Sequence, residues 1–135
     1  MAPLKQERIL VIDDDESIRD LLVMSLEGEG YKVVAPKSPS RARKEVAKKG
    51  VYPVIIHDVM LWDGYPGTDS MRQCRDNNPG ALLIVLTAIA EGPNEDVKEI
   101  CTEIECKPFD LNELLKKVER GILQRGHQRI VDPRI

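Results

Sequence analysis

Short apolar runs alternate with amphipathic stretches along the chain, and this alternation constrains the fold more than any other feature of the sequence. The runs are rich in valine, isoleucine and leucine, and they lack the regular polar–apolar alternation of a strand with one solvated face. They predict five strands, over residues 9–12, 31–35, 54–57, 81–87 and 103–106. Because helical stretches separate these strands, the pattern predicts a parallel sheet covered by helices on both faces, an α/β sandwich.

Apolar residues at helical spacing predict helices over residues 17–27, 39–49 and 111–123. Asp15 and Asp110 are predicted N-caps, because each carboxylate precedes a helical stretch and can accept hydrogen bonds from its first amides. The residues expected to face inward are Ile18, Leu21, Leu22, Ser25 and Leu26 in the first helix, Ala42, Val46 and Ala47 in the second, and Leu111, Leu114, Leu115, Val118 and Ile122 in the last.

The length of 135 residues fits one domain with one core. The helical periodicity is lost after residue 125, so the domain is predicted to span residues 1–125. Residues 126–135 are expected to be a frayed tail or the start of a linker to a further domain.

Composition narrows the function classes. The chain is 41% hydrophobic and 32% charged, with a formal net charge of -3, which gives no support for a nucleic-acid binder. It has neither an apolar run long enough to cross a membrane nor a signal peptide, so we expect a cytoplasmic protein without membrane attachment. The three cysteines, at unrelated spacings and without a neighbouring histidine, are expected to be reduced thiols rather than zinc ligands.

Basic residues gather between Lys37 and Lys49. The net negative charge of the chain and the lack of interleaved aromatic residues favour a solvated helix face over a nucleic-acid patch.

Polar residues follow four of the predicted strands. Asp13 and Asp14 follow the first, Asp58 the third, Thr87 ends the fourth and Lys107 follows the fifth. Ligands of open parallel sheets bind beyond the carboxyl ends of the strands. Carboxylates gathered there suit Mg²⁺, while a lysine and a hydroxyl can bind phosphoryl oxygens. A metal site, a nucleophilic acid and a cation together indicate phosphoryl transfer.

The motifs IDDD, IIHD, LT-A and KPF, in this order, resemble those of response-regulator receiver domains over about residues 8–125. The resemblance implies a flavodoxin-like fold, a five-stranded parallel sheet of order 2-1-3-4-5 flanked by five helices. It also implies a phosphoacceptor of a two-component system. By this resemblance the chain is not an enzyme beyond its own self-phosphorylation and autodephosphorylation.

The resemblance implies a role for each matching residue. Asp58 matches the phospho-accepting aspartate. Asp13 and Asp14 match the acidic pair that binds Mg²⁺ together with the acceptor, and the backbone carbonyl of Met60 matches the third protein ligand.

Two further residues match the residues that act on the bound phosphoryl group. Thr87 matches the switch hydroxyl, and Lys107 matches the lysine that pairs with the phosphoryl group, with a cis peptide bond to Pro108. The implied partners are a histidine kinase or phosphotransfer protein and a downstream target or missing output domain. The face formed by the fourth helix, fifth strand and fifth helix is the family's usual output face, and a homodimer through it is left open.

Several positions depart from the family pattern. Leu61-Trp62 replaces the usual Met-Pro, and the loop is about one residue longer, which predicts a reshaped loop with Trp62 half exposed. The segment between Thr87 and Lys107 is about two residues shorter, which predicts a fourth helix that is short or starts late. Ile104 occupies the position of the aromatic switch residue, so coupling of Thr87 to a flipping ring is not expected.

Two alternatives remain open. The run ending in Asp13-x-Asp15 and the run LLIVLT resemble the first two motifs of haloacid-dehalogenase phosphatases. That family expects glycine at Glu16, however, and it leaves Asp58 without a role. The other alternative is a receiver-like module that binds partners without being phosphorylated.

Overall fold

The computed structural model describes residues 7–61, 65–88 and 95–130, with the side chains at 60–61, 65–66 and 125–130 left out. Within these residues, five parallel strands form one sheet and two short antiparallel strands form a separate hairpin. In chain order the strands are β1 (Arg8–Ile12), β2 (Lys32–Val34), β3 (Val54–Asp58), β4 (Met60–Leu61), β5 (Tyr65–Pro66), β6 (Leu82–Ala88) and β7 (Glu103–Lys107). The sheet order β2-β1-β3-β6-β7 confirms the predicted order, with β4 and β5 as the additional hairpin.

Five helices connect the strands in the described residues. They are α1 (Glu16–Gly28), α2 (Pro39–Val46), α3 (Thr68–Asn77), α4 (Glu95–Ile100) and α5 (Leu111–Ile130). The predicted N-caps of the first and last helices are confirmed. Asp15 Oδ1 accepts from the amide of Ser17 at 2.9 Å, and Asp110 Oδ1 accepts from the amide of Glu113 at 3.2 Å.

Two helix ends differ from the sequence prediction. The α2 helix stops at Val46 instead of residue 49, because Asn77 Nδ2 from α3 donates to the Val46 carbonyl at 2.8 Å and satisfies it. The α5 helix continues to Ile130, beyond the point where apolar periodicity is lost. Apolar periodicity reports which face of a helix packs, so a helix can continue beyond its packed residues, here through Gly126.

The core has two layers, one on each face of the sheet. Successive strand residues point to opposite faces, so Ile55 joins one layer and Ile56 the other. The first layer packs Ala42, Val46, Met71, Cys74, Val97 and Ile100 of α2, α3 and α4 against the sheet. The second packs Leu22, Leu26, Leu114, Val118 and Ile122 of α1 and α5. The sheet between two layers of helices confirms the predicted α/β sandwich.

Two residues expected to face inward lie elsewhere. Leu21 is 43% exposed, because it is rotated by about 100° from Leu22, which lies in the centre of the buried stripe of α1. Ala47 is exposed because α2 has ended one residue earlier. Within the described residues, no helix is both long and apolar enough to cross a membrane.

Candidate functional site

Asp13 and Asp58 are neighbours because of strand register. Ile12 of β1 pairs with His57 of β3, so the next residue of each strand, Asp13 and Asp58, emerges at the same edge. Lys107 ends β7, which is two strand spacings or about 10 Å from β3, and its long side chain extends across β6 toward the two acids. The fold therefore brings together three of the residues that the sequence predicted.

The ammonium group of Lys107 binds both acids. Its Nζ donates to Asp58 Oδ2 at 2.9 Å and lies 3.1 Å from Asp13 Oδ2. Burial alone would lower the pKa of Lys107, but the hydrogen bond to Asp58 and the charge of Asp13 outweigh it and raise the pKa. Lys107 is therefore firmly charged and serves as the cation of the cluster.

Asp14 completes a group of three acids. One carboxylate oxygen each from Asp13, Asp14 and Asp58 lie within 4.8 Å of one another. Asp13 and Asp58 are buried, whereas Asp14 is exposed. Burial and the negative charge of Asp58 raise the pKa of Asp13, and the hydrogen bond from the Asp15 amide only partly offsets them. Three carboxylates thus gather at this edge, and the Lys107 ammonium group pairs with two of them, Asp13 and Asp58.

The donor set fits a hard divalent cation. Asp13 Oδ2 is buried, and within the described residues it receives no hydrogen bond, because its 3.1 Å contact with Lys107 lacks hydrogen-bond geometry. A buried carboxylate oxygen that is ion-paired with Lys107 but has no hydrogen bond, beside two more carboxylates, is the oxygen environment that Mg²⁺ prefers.

The main chain around Asp13 is fixed by two donors. The amide of Asp15 donates to Asp13 Oδ1 at 2.9 Å, and Arg19 Nη1 donates to the Asp13 carbonyl at 3.1 Å. Arg19 is only 5% exposed and extends from the first turns of α1. Sequence reasoning missed this arginine, because a lone basic residue in an amphipathic helix usually faces solvent.

His57 connects the end of β3 to α3. Its Nδ1 lies 2.7 Å from the Asp58 carbonyl, which can only accept, so Nδ1 carries the proton. Its Nε2 therefore accepts from the Ser70 hydroxyl at 2.8 Å. Burial lowers the pKa of His57 to about 4, so the ring is neutral. The buried ring thus lies between β3 and α3, and its partner Ser70 was not predicted from the sequence.

The chain returns from the β4–β5 hairpin through Gly67, which lies against the end of β3. A Cβ at this position would lie 2.8 Å from the carbonyl oxygens of both Asp58 and Val59. The Gly67 amide also donates to the Val59 carbonyl. Only glycine allows the two backbones to approach this closely.

The remaining predicted residues lie near this edge or outside the described part. Thr87 is buried near the end of β6, and its hydroxyl donates to the Ala88 carbonyl at 3.4 Å, a long hydrogen bond. Met60 begins β4 with its backbone paired to Pro66. The prediction for Trp62 falls outside the described residues, as does the side chain of Met60.

Two further expectations from the sequence, the cis bond and the short fourth helix, are confirmed. The Lys107-Pro108 bond is cis. The α4 helix has six residues, in agreement with the predicted short or late fourth helix. Ile104 lies half-buried in β7 at the position where an aromatic residue is usual. Cys74, Cys101 and Cys106 form no disulfide.

A family model settles the relationship of the chain to known proteins. The model described as "Response regulator receiver domain" matches residues 9–119. The chain belongs to this family. The match and the strand order confirm the predicted receiver fold.

Three similar proteins illustrate the relationship. The transcriptional regulatory protein ResD of Bacillus subtilis is 31% identical over 95% of this chain and 52% of its own length. The non-phosphorylated receiver domain of HemR from Leptospira biflexa is 31% identical, with a TM-score of 0.74 over 87% of this chain and 94% of that one. TrrA from Thermotoga maritima, in complex with Mg²⁺-BeF, is 29% identical, with a TM-score of 0.71 over 86% of this chain and 99% of that one.

TrrA is also similar to this receiver in a second structure, its complex with the histidine kinase ThkA. There it is 30% identical, with a TM-score of 0.70 over 86% of this chain and 98% of that one. The receiver spans about half the length of the curated relatives YkoG and ResD, 54% and 52%.

Proposed function

We propose that this receiver accepts a phosphoryl group on Asp58 from a histidine kinase or phosphotransfer protein, and relays it to a downstream target or output domain. The observation that carries the proposal is the Asp58 carboxylate at the end of β3, bound by Lys107 at 2.9 Å and grouped with Asp13 and Asp14. The crystallised complex of the related TrrA with a histidine kinase supports the partner class.

The transfer exchanges one bond to phosphorus for another. A carboxylate oxygen of Asp58 attacks the phosphorus of a phosphohistidine, the phosphorus–nitrogen bond breaks, and its electron pair returns to the imidazole. Lys107 already lies 2.9 Å from Asp58 Oδ2, so its ammonium group is placed to bind an oxygen of the incoming phosphoryl group.

Asp13, Asp14, Asp58 and the Met60 carbonyl would hold Mg²⁺. The ion supplies positive charge that offsets the repulsion between the phosphoryl oxygens and the carboxylates. Within the described residues, Asp13 Oδ2 is the buried oxygen without a hydrogen bond, which supports its role as a ligand. The amide of Asp15 and the guanidinium of Arg19 orient Asp13 for this role.

Thr87 would transmit the modification. Its hydroxyl makes a long 3.4 Å hydrogen bond to the Ala88 carbonyl, which is weak enough to be exchanged for a phosphoryl oxygen. With Ile104 in β7, the response travels through loop and helix packing instead of an aromatic flip. We assign the face of α4, β7 and α5 as the output surface, either for a target or for a homodimer.

The proposed activity is that of an acceptor in the cytoplasm. The receiver catalyses its own phosphorylation from a small donor and its own dephosphorylation, and it turns over no separate substrate. We expect that this domain alone binds no nucleic acid and that a membrane is not among its partners.

Intact mass after incubation with acetyl phosphate and Mg²⁺ tests this function. We expect one added phosphoryl group in the native chain and in Asp20→Asn, a control that removes an exposed acid of α1. Asp58→Asn is expected to gain none. The absence of any adduct on the native chain would indicate the phosphorylation-independent binding module. Release of phosphate from a phosphomonoester by Asp58→Asn, but not by Asp13→Asn, would indicate phosphatase chemistry.

A further inference from the structure

A cavity of about 320 Å³ lies between the end of β2 and α2. Its apolar wall is formed by residues 34–36, and its polar wall by Lys37, Arg41, Lys44 and Glu45. We call it the α2 pocket. Its volume lies at the lower end of the range of about 300–1,000 Å³ for ligand pockets, so it has room for one or two side chains of a partner.

The polar wall is positively charged, and its cations are free to bind a ligand. Lys37, Arg41 and Lys44 are exposed, and within the described residues no acidic side chain forms an ion pair with any of them. Glu45, the one acid of the wall, is already engaged. Its Oε1 accepts from the Tyr52 hydroxyl and lies 2.9 Å from Lys48 Nζ. The positive charge of the pocket is therefore not neutralised from within.

The surrounding sequence concentrates this charge. Six of the 20 lysines and arginines of the chain lie within residues 37–49, together with one of its 23 acidic residues. The rest of the chain holds 14 basic and 22 acidic residues. A locally positive surface on a negative protein attracts an acidic ligand to this one place.

The pocket lies at the same edge of the sheet as Asp13. Leu10 of β1 pairs with Val34 of the neighbouring parallel strand β2. Asp13 is three residues beyond Leu10, and Lys37 is three residues beyond Val34. A protein that approaches the acidic cluster along this edge therefore meets the α2 pocket beside it.

We infer that the α2 pocket binds carboxylate side chains from an acidic segment of a protein partner. The three cations can bind the carboxylate of an aspartate or glutamate in the partner. The residues next to that acid in the partner's sequence can then pack against the apolar wall formed by residues 34–36. A nucleic acid is disfavoured, because its phosphates would extend over the negative remainder of the surface. The pocket lining also contains no aromatic residue on which a base could stack.

Anisotropy of a fluorescein-labelled octaglutamate peptide at low ionic strength tests the inference on the full chain. The pocket variant replaces Lys37, Arg41 and Lys44 with glutamine. The matched control replaces Lys32, Arg43 and Lys49, which are also two lysines and an arginine, exposed and outside the pocket lining. We expect the pocket variant to lose about tenfold or more in affinity, and the control less than about threefold.

Three outcomes would overturn the inference: no binding of octaglutamate by the native chain, equal losses in the two variants, or tighter binding of a labelled DNA duplex with the same dependence on the pocket residues. Peptide binding is measured on the unphosphorylated chain, so failure of Asp58 to accept a phosphoryl group would leave this result unaffected. Far-UV circular dichroism and a native-like urea midpoint for both variants verify that each is folded, independently of phosphorylation.

Discussion

The neutral ring of His57 in β3 connects this strand to α3, since its Nε2 accepts a hydrogen bond from Ser70 Oγ at 2.8 Å. The opposite nitrogen donates to the Asp58 carbonyl at 2.7 Å. One buried side chain thus connects the backbone of the candidate acceptor to the first turn of the helix that follows the hairpin. This arrangement makes Ser70 a positioning residue for the strand end, although it lies 13 residues from His57.

Ser70→Ala is expected to destabilise the receiver by about 1–3 kcal/mol, because it leaves a buried ring nitrogen without a donor. Ser40→Ala serves as the control, because Ser40 is exposed and its loss should change the free energy of unfolding by less than about 0.5 kcal/mol. Urea denaturation measures both. Equal free energies of unfolding for the two variants would show that the His57–Ser70 hydrogen bond does not stabilise the fold.

The fold was predictable because its signals are local. Apolar runs at strand length, acids directly after the runs and N-caps such as Asp15 each lie within a few residues of the feature they determine. The register then brings Asp13 and Asp58 together without further information. Sequence reasoning could therefore assign both the sheet and the cluster of acids.

The missed features depend on contacts between distant residues. Asn77 ends α2 by binding the Val46 carbonyl from 31 residues away, and Ser70 contacts His57 from another element. Arg19 turns inward because the Asp13 carbonyl needs a donor in the folded chain. None of these partners is marked by periodicity or by a motif, so only the three-dimensional structure reveals them.

The Tyr52–Glu45 pair is expected to make stability depend on pH. Burial alone would raise the pKa of Glu45, but the hydrogen bond from Tyr52 and the contact with Lys48 outweigh it and lower the pKa. A carboxyl group with a lowered folded-state pKa stabilises the fold above its unfolded value of 4.5, and this contribution is lost as pH falls below that value.

Tyr52→Phe removes the hydroxyl and should lower stability at neutral pH by about 0.5–1.5 kcal/mol. The difference from the native chain should shrink at about pH 4, where the carboxyl group starts to be protonated in both. Urea denaturation at the two pH values measures this convergence. A difference that stayed constant with pH would contradict the assigned role of Glu45.

Gly67→Ala should be destabilising by about 1–3 kcal/mol, because its Cβ would lie 2.8 Å from two backbone carbonyl oxygens that cannot rotate away. Gly28→Ala is the matched control, since a Cβ there meets nothing within 4 Å and helix propensity favours alanine. Thermal unfolding distinguishes the two. If Gly67→Ala were as stable as the native chain, the close contact between Gly67 and the end of β3 would not be required by the fold.

The proposed phosphoaspartate is expected to hydrolyse slowly for its family. The residues two positions beyond Asp58 and Thr87, Met60 and Ile89, are both apolar and cannot orient an attacking water. Replacing either with glutamine should accelerate phosphate loss, timed by intact mass after removal of the donor. No acceleration in either variant would show that another feature sets the lifetime.

Asp13→Asn is expected to stabilise the chain in the absence of Mg²⁺ and to abolish stabilisation by the ion. Burial and the charge of Asp58 raise the pKa of Asp13, so its ionised form is unfavourable in the fold at neutral pH, and a neutral amide removes that penalty. In the native chain, Mg²⁺ at a hundredfold excess over its Kd should add about 2.7 kcal/mol.

Thermal unfolding with and without Mg²⁺ compares the native chain, Asp13→Asn and the surface control Asp20→Asn. The control should keep the native midpoint and the native response to Mg²⁺, because Asp20 is exposed on α1 and outside the acidic cluster. A native-like response to Mg²⁺ in Asp13→Asn would exclude Asp13 as a ligand. A lower midpoint for Asp13→Asn without the ion would mean that its ion pair with Lys107 outweighs the repulsion from Asp58.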